Sequence, residues 1–393
     1  MHTLPEIVAP DDEHYWSIIG AQYKVSEDFI NLENGYFGIQ ATPVYEAYLR
    51  YQDQINRESS YFLRVKFDAR VKTVMCALAS FAGVEEGELL ITRNPMEALN
   101  ILIQGYPFNP GDEILLADHD YESVIETLEM VSARALLSLL HITIPIDPDS
   151  DEQIVAMYER AITSRTRVLL LTHVVHRTGQ IMPVAKIAEM ARRRGIDVIV
   201  DAAHSFAQLD YTFSDLGVDF IATSLHKWLG APLGMGLLYI RKNRIADIAP
   251  FFGDVSSADN DIKKLGHFGT TPPAPILAVE DALAFQLRIG LNNKEKRLRY
   301  LTQYWLEQVR TLPNVHVFTP RASDRYCAIA SLGIAGVTAT ALSAMLMEKY
   351  KIFTVVRQIG NRDGVRITPH LFTTIAHLDA LVFAIKEIIS HIN

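Results

Sequence analysis

Seven short apolar runs rich in β-branched residues, at 88–92, 113–117, 141–146, 168–172, 197–201, 219–223 and 235–240, alternate with stretches of helical periodicity. Strands that take turns with helices in this way build a mostly parallel sheet covered by helices on both faces. The linking helix with the clearest signals runs from Pro183 to Gly195, with proline in its first turn and glycine just past its end. Its inward face is Val184, Ile187, Ala188 and Ala191. Between 223 and 235 the chain is broken by Trp228, Gly230, Pro232 and Gly234, too short and too irregular for a crossover helix. The last of the seven strands is therefore expected to run antiparallel.

After Arg241 the pattern changes. A Gly/Pro/Asp-rich passage at 252–275 leads to helical stretches at 276–290 and 293–312. Shorter strands at 315–318, 328–332 and 365–368 then alternate with helices at 339–350 and 375–392. The expected fold class is α/β, a seven-stranded sheet with one antiparallel strand plus a smaller α+β domain. The expected division is an N-terminal arm and small-domain segment at 1–60, a large domain at 61–265 and a C-terminal small domain at 266–393.

A chain of 393 residues, 49% hydrophobic and 21% charged, has enough apolar material for two packed cores, which excludes global disorder. The net charge is −9 and the one basic cluster, Arg192 to Arg194, ends a helix, so nucleic acid is not an expected partner. The two cysteines, Cys76 and Cys327, both in apolar surroundings, exclude a disulfide scaffold and a cysteine zinc cluster. Both are expected to be buried thiols. The N-terminus has no signal-peptide core and no run reaches the roughly 18 apolar residues of a membrane span. No membrane partner and a cytoplasmic location are expected.

Ligands of open parallel sheets collect at the carboxyl ends of the strands. The run DVIVDAAHS places Asp201 and His204 at one such end, and DFIATSLHKWLGAPLGMG places Ser224, His226 and Lys227 at the next. A lysine leaving a buried strand beside Trp228 is held toward its neutral amine, the form that attacks a carbonyl. A neighbouring aspartate keeps a pyridine nitrogen protonated, which makes the ring an electron sink. A third strand end, ELLITRNPMEALN, enters a helix at Pro95, whose free amides and partial positive charge suit a phosphate.

These motifs resemble the class V aminotransferase group of fold type I pyridoxal-phosphate enzymes, and within it the isopenicillin N epimerase-like branch. The likeness runs from NLENGYFG at Asn31 through TRNPMEALN, HDYESV, THVVHRTGQIMPV, VDAAHS and TSLHKWLGAPLGMGLLYI to GVRITPHLFTT. Its strongest part is a D-x-x-H followed in register by S-x-H-K. The resemblance implies a pyridoxal 5'-phosphate cofactor in Schiff-base linkage to Lys227, with Asp201 on the ring nitrogen and His204 on the ring hydroxyl. It also implies Tyr121 stacked on the cofactor face and a phosphate cup of Ser224, His226 and the amides of Met96 and Glu97. A Gly269, Thr270 and Thr271 segment from a second subunit completes that cup, so a homodimer with composite active sites is implied. Arg366 matches the arginine that grips the substrate carboxylate, and Asn34 and Gly35 the segment that closes over the substrate. Two departures stand out. Pro95 and Met96 replace small or hydroxyl residues in the phosphate loop, and His176, followed by Arg177, stands where relatives place asparagine beside the ring oxygen.

The expected substrate is an amino acid and the expected chemistry a carbanion at its α carbon. Transamination is the first expectation, with epimerisation and carbon–sulfur lysis as alternatives from the same carbanion. Cys327 sits in a strand pattern rather than a mobile loop, which argues against a cysteine desulfurase. A nicotinamide-dependent oxidoreductase would need a G-x-G-x-x-G turn, which ITRNPMEALN lacks. A cofactor-binding regulator without catalysis is disfavoured by intact Lys227 and Arg366.

Overall fold

The computed structural model describes residues 7–253 and 256–391. A helix over Glu13–Gly20, capped by the Asp12 side chain on the Tyr15 amide, precedes a two-residue strand, β1 (Ile30–Asn31). Seven strands then form the large sheet: β2 (Leu89–Thr92), β3 (Glu113–Ala117), β4 (Ser138–Ile142), β5 (Thr166–Thr172), β6 (Asp197–Asp201), β7 (Phe220–Ser224) and β8 (Gly236–Ile240). Their spatial order is β2–β8–β7–β6–β5–β3–β4. β8 is antiparallel to both neighbours and every other pair is parallel. The chain passes from β7 to β8 without a helix, and so short a return can only reverse direction.

Alternation of side chains divides the sheet between two cores. Leu169 and Leu171 of β5 face one core with Ile187, Ala188 and Ala191 of the helix Val184–Arg193. Val168 and Leu170 face the other, with Leu99 and Leu102 of the helix Pro95–Gly105 and Leu128 of the helix Glu122–Ala135. Both faces are covered, so these strands are near-continuous apolar runs, and each buried leucine stabilises the sheet by roughly 1.5–3 kcal/mol. The strand expected at 141–146 is instead β4 at Ser138–Ile142. The preceding helix stops at Leu136, which takes a left-handed conformation (φ 55), and the register Glu113↔Ser138 to Ala117↔Ile142 uses up the earlier residues. Pro145, with no amide hydrogen to donate, stays outside the ladder.

The remaining strands are β9 (Val315–Val317), β10 (Ala330–Ile334), β11 (Ile352–Phe353), β12 (Val355–Ile359) and β13 (Arg362–Ile367). An antiparallel sheet, β12–β13–β10–β9, packs against the helices Leu291–Val309, Ala339–Tyr350 and Ile375–Ser390 through Trp305, Leu342, Leu381 and Ile385. β12 was not expected: its run VVRQI breaks its apolar residues with Arg357 and Gln358, is mostly half-buried and lies at the sheet edge. β1 pairs in parallel with β11, Ile30↔Ile352, and Leu32 joins the same core, which fastens the N-terminal segment to this sheet. Residues 254 and 255 of the 252–275 passage, and Ile392 of the expected last helix, lie outside the described residues. Cys76 is exposed, contrary to expectation, because it sits on the opposite side of the helix Phe67–Ala82 from Val74 and Leu78. Cys327 is buried as expected. Among the described residues no helix is long and apolar enough to cross a membrane.

Candidate active site

The carboxyl ends of five strands converge on one cleft of about 420 Å³. β2 contributes Asn94, Pro95 and Met96; β3 leads to Tyr121 and Glu122; β5 ends in Thr172 and leads to His176. β6 supplies Asp201, Ala203 and His204, and β7 leads to His226 and Lys227. The far wall comes from Arg357 on β12, Arg366 on β13 and the segment Gly35, Tyr36 and Phe37. The chain order reverses at β3, which has β4 on one side and β5 on the other, so loops leave the sheet in opposite directions and a crevice opens between them.

The stem of Lys227 is partly exposed, but its amino group is enclosed by protein. Its Nζ lies 3.2 Å from His204 Nε2. The Trp228 indole, which can only donate, points its N–H at His204 Nδ1 from 3.4 Å. The imidazole proton therefore sits on Nε2 and faces Lys227, a contact that requires a nitrogen able to accept. A neutral amine meets that requirement and an ammonium does not. Burial, helped by Arg366 and Arg357 and opposed by Asp201 and Glu33, lowers Lys227 to about 8. Burial also pushes His204 well below its ordinary value, which keeps it neutral. Asp201 is raised by burial, while the Ala203 amide at 2.8 Å and the Lys227 charge pull it back toward the carboxylate.

The Lys227 loop is clamped from two sides. The Gly38 amide donates to the His226 carbonyl at 2.8 Å, and a Cβ at Gly38 would lie 2.0 Å from the Lys227 carbonyl oxygen. Behind the loop, buried Lys294 donates to the Trp228 carbonyl and, at 2.9 Å, to Gln286 Oε1, whose Nε2 donates to the Leu229 carbonyl. His370 stacks on Trp228 with ring centroids 6.0 Å apart. Lys294 was missed in the sequence because LNNKEKRLRY has the look of a solvated helix face.

At the phosphate-suited end, Asn94 caps the helix Pro95–Gly105 by accepting from the Glu97 amide at 2.9 Å. Glu97 therefore does not belong to the cup: its amide is used, and its carboxylate is turned away to the Arg93 amide at 2.7 Å and the Arg93 Nε at 2.8 Å. The Met96 amide, in the first helical turn, has no intrahelical acceptor, and Met96 lines the cleft. Ser224 Oγ is buried without a partner. His226 donates its Nδ1 proton to the Met235 carbonyl at 2.8 Å and also lines the cleft. Gly236 is required here, since a Cβ would come within 2.5 Å of the Asn94 carbonyl carbon. Thr270 and Thr271 do not line the cleft of their own chain; Thr271 borders a separate cavity with Phe67 and Val71.

On the opposite wall Arg366 is buried against Glu33. Its Nε lies 3.1 Å from Glu33 Oε2, Nη2 bonds Oε1, and Nη1 donates to the His176 carbonyl at 2.9 Å. The Tyr36 amide also donates to Glu33 Oε1, at 2.9 Å. Gly35 lines the cleft, but Asn34 does not: its side chain donates to the Thr368 carbonyl at 2.8 Å and its amide to Thr368 Oγ1 at 2.6 Å. Asn34 thus anchors the segment rather than facing a ligand. Neither Glu33 nor Arg357 was singled out from the sequence. His176 Nε2 is 3.3 Å from Glu122, which only accepts, so its proton is on Nε2 and its buried Nδ1 is an acceptor without a partner. Burial lowers His176 to about 4 despite Glu122. Tyr121 lines the cleft with its ring edge-on to His176, centroids 5.2 Å apart.

An enclosed amine lowered to about 8, a buried carboxylate, an unpartnered hydroxyl, a free first-turn amide and an unpartnered imidazole nitrogen around one cleft fit pyridoxal 5'-phosphate. Among the described residues, no group of three or more His, Cys, Asp or Glu side chains is placed to hold a metal.

Comparison with known proteins agrees. The family model described as aminotransferase class-V matches residues 41–363. The isopenicillin N epimerase of Streptomyces clavuligerus is 27% identical over 390 residues, covering 95% of this chain and 98% of that protein. The apo structure of a cysteine desulfurase from Thermococcus onnurineus NA1 superposes with a TM-score of 0.87 at 20% identity, over 99% of this chain and 100% of the other. A mutant of C-DES with glycine covalently linked to its PLP cofactor gives 0.84 at 22% identity, over 92% and 97%. The chain therefore belongs to the aminotransferase class-V family, enzymes of fold type I that work with pyridoxal 5'-phosphate.

Proposed function

We propose that this enzyme removes the α-proton of an amino acid and returns it elsewhere, with transamination as the outcome. The observation that carries the reading is the enclosed Lys227 amine, lowered to about 8, 3.2 Å from His204 Nε2 and at the end of the strand next to that of Asp201. When bound, the cofactor supplies an electron-poor ring that accepts the electron pair left as the α C–H bond breaks. Lys227 Nζ holds the cofactor and, once released, takes the α-proton. Asp201 offers its carboxylate to the ring nitrogen, His204 Nε2–H donates to the ring oxygen, and His176 Nδ1 accepts from that oxygen when it carries a proton. Tyr121 packs its ring on the flat face. The Met96 amide, Ser224 hydroxyl and His226 imidazole hold the phosphate. Gly35, Tyr36 and Phe37 keep water from the reacting carbon, and the substrate carboxylate meets the wall that carries Arg357 and Arg366. Lys227 is the one lysine that lines the cleft among the described residues, so a single carrier moves the proton along one face, as transamination requires.

Epimerisation is the second reading, supported by Tyr121 and His176 in the same cleft and by the near full-length likeness to an epimerase. Sulfur transfer through an enzyme thiol is disfavoured, because neither cysteine lines the cleft and burial raises Cys327 to about 12. The working form in this reading is a cytoplasmic homodimer in which Thr270 and Thr271 of one copy reach the cleft of the other. Exposed Tyr61, Leu63 and Val65 give that interface apolar surface. The test is absorption of the cofactor-supplied protein before and after borohydride, with a mass map of the labelled peptide. Amino acids in deuterated solvent are then followed by keto-acid and chiral analysis. A visible band trapped on Lys227 and a keto-acid product are expected; solvent label in an inverted amino acid would replace transamination with epimerisation.

A further inference from the structure

We propose that Asp120 is a positioning residue: it takes the proton of the Thr172 hydroxyl and so leaves Asp201 Oδ2 free for the cofactor ring nitrogen. This assignment rests on the cofactor reading above and adds a residue behind the cleft that governs one inside it. Asp120 follows β3, and its side chain folds back over the end of that strand, where Oδ2 accepts from the Ala117 amide at 2.8 Å. Its Oδ1 accepts twice from Thr172 at the end of β5, from the amide at 3.1 Å and from the hydroxyl at 2.6 Å. The carboxyl group is fully buried and has no basic partner among the described residues. Burial, with the Asp201 charge nearby, raises it to about 7, while the bonds from Thr172 and Ala117 favour the carboxylate. A buried acid without a counter-charge is costly, and two of its three bonds go to a single threonine.

That threonine is where Asp120 bears on the chemistry. Thr172 lines the cleft and is the register partner of Asp201, so the two side chains stand side by side on strands about 4.8 Å apart. A hydroxyl has one proton to donate. Turned toward Asp201, it would bond that carboxylate; held by Asp120, it shows the cleft only lone pairs. Asp201 Oδ1 accepts from the Ala203 amide at 2.8 Å, and no donor is bonded to Oδ2 among the described residues. A carboxylate that accepts fewer hydrogen bonds is more basic, and a more basic Asp201 holds a proton on the ring nitrogen more firmly. Asp120 acts at one remove, by orienting the threonine beside Asp201.

The test is nitrogen NMR of protein loaded with cofactor labelled at the ring nitrogen, titrated upward from just above 7, where Asp120 is ionised, with urea unfolding of cofactor-free protein beside it. The parent is expected to begin that titration with its ring nitrogen protonated. Asp120→Leu releases the Thr172 hydroxyl to Asp201 and should lower the pH at which the ring proton is lost by about one unit or more. Adding Thr172→Val removes the hydroxyl, and the double variant should return to within roughly 0.3 unit of the parent. Thr172→Val alone should leave the ring proton in place while lowering the urea midpoint. A parent ring without its proton, an unmoved titration in Asp120→Leu, a double variant that stays as low as Asp120→Leu, or a ring proton lost in Thr172→Val would each overturn the assignment. Should Asp120→Leu not fold, the Thr172→Val measurement decides alone. A protein that never takes up colour sinks the cofactor reading and this assignment with it.

Discussion

Replacing Gly38 with alanine isolates the contact between the cleft wall and the Lys227 loop. Gly38 has no positive φ, so alanine brings no backbone strain of its own, and the effect comes from space. The added Cβ would sit 2.0 Å from the Lys227 carbonyl oxygen and 3.1 Å from its carbon, whereas even close C–H···O contacts need about 3.3 Å. The two backbones must part by about 1 Å, and the Gly38 amide bond to the His226 carbonyl is lost with that movement. Overpacking of this kind together with one hydrogen bond costs about 2–4 kcal/mol. Asn34 stays fastened to Thr368, so the displacement falls on Gly35, Tyr36 and Phe37, the substrate-facing wall. Urea unfolding should show a lower midpoint at unchanged slope, and amino-acid affinity should fall at least about tenfold while the visible band remains. Gly87→Ala is the control, since nothing lies within 4 Å of its Cβ. If Gly38→Ala matches that control within about 0.5 kcal/mol and binds substrate normally, the contact does not shape the cleft.

Four further outcomes follow from the buried charges. Lys227 is lowered to about 8, so cofactor-free protein should capture aldehydes with half-maximal rate near pH 8; a midpoint near 10 would contradict the enclosed amine. Below that pH the folded chain must keep an unfavourable charge, and between about 8 and 10.5 stability rises with pH because the unfolded lysine holds a proton that the folded one has released. Lys227→Met should accordingly stabilise cofactor-free protein at pH 7 by roughly 2–3 kcal/mol, measured by urea unfolding. Lys294→Met removes the donor to the Trp228 carbonyl and Gln286, and should cost about 1–3 kcal/mol and shift the pH midpoint of the visible band; an unmoved midpoint would show that the strut does not position Lys227. Arg366→Leu alone strands Glu33 and should cost about 3–5 kcal/mol, most of it recovered when Glu33→Gln is added; equal losses in single and double variants would refute the pairing.

Much of this architecture is written in local pattern. Continuous apolar runs such as Val168 to Thr172 are buried on both faces, and the irregular passage around Trp228 to Gly234 leaves no room for a helix, so the reversed strand follows from length alone. Lys227, Asp201 and His204 were legible because strand ends in a parallel sheet are brought together by the sheet itself. The roles of the charged groups were not legible. Glu33 and Arg366 are 333 positions apart, and Lys294 and Trp228 are 66 apart, so their pairings depend on how the small sheet and the helices settle against the cleft. The Glu97 amide left the phosphate cup because Asn94 reached it first, a contact within one turn that composition does not rank against its rivals. A side chain's type is carried by the sequence, but whether its charge is spent or available depends on which partners and how much water remain around it once distant segments have packed.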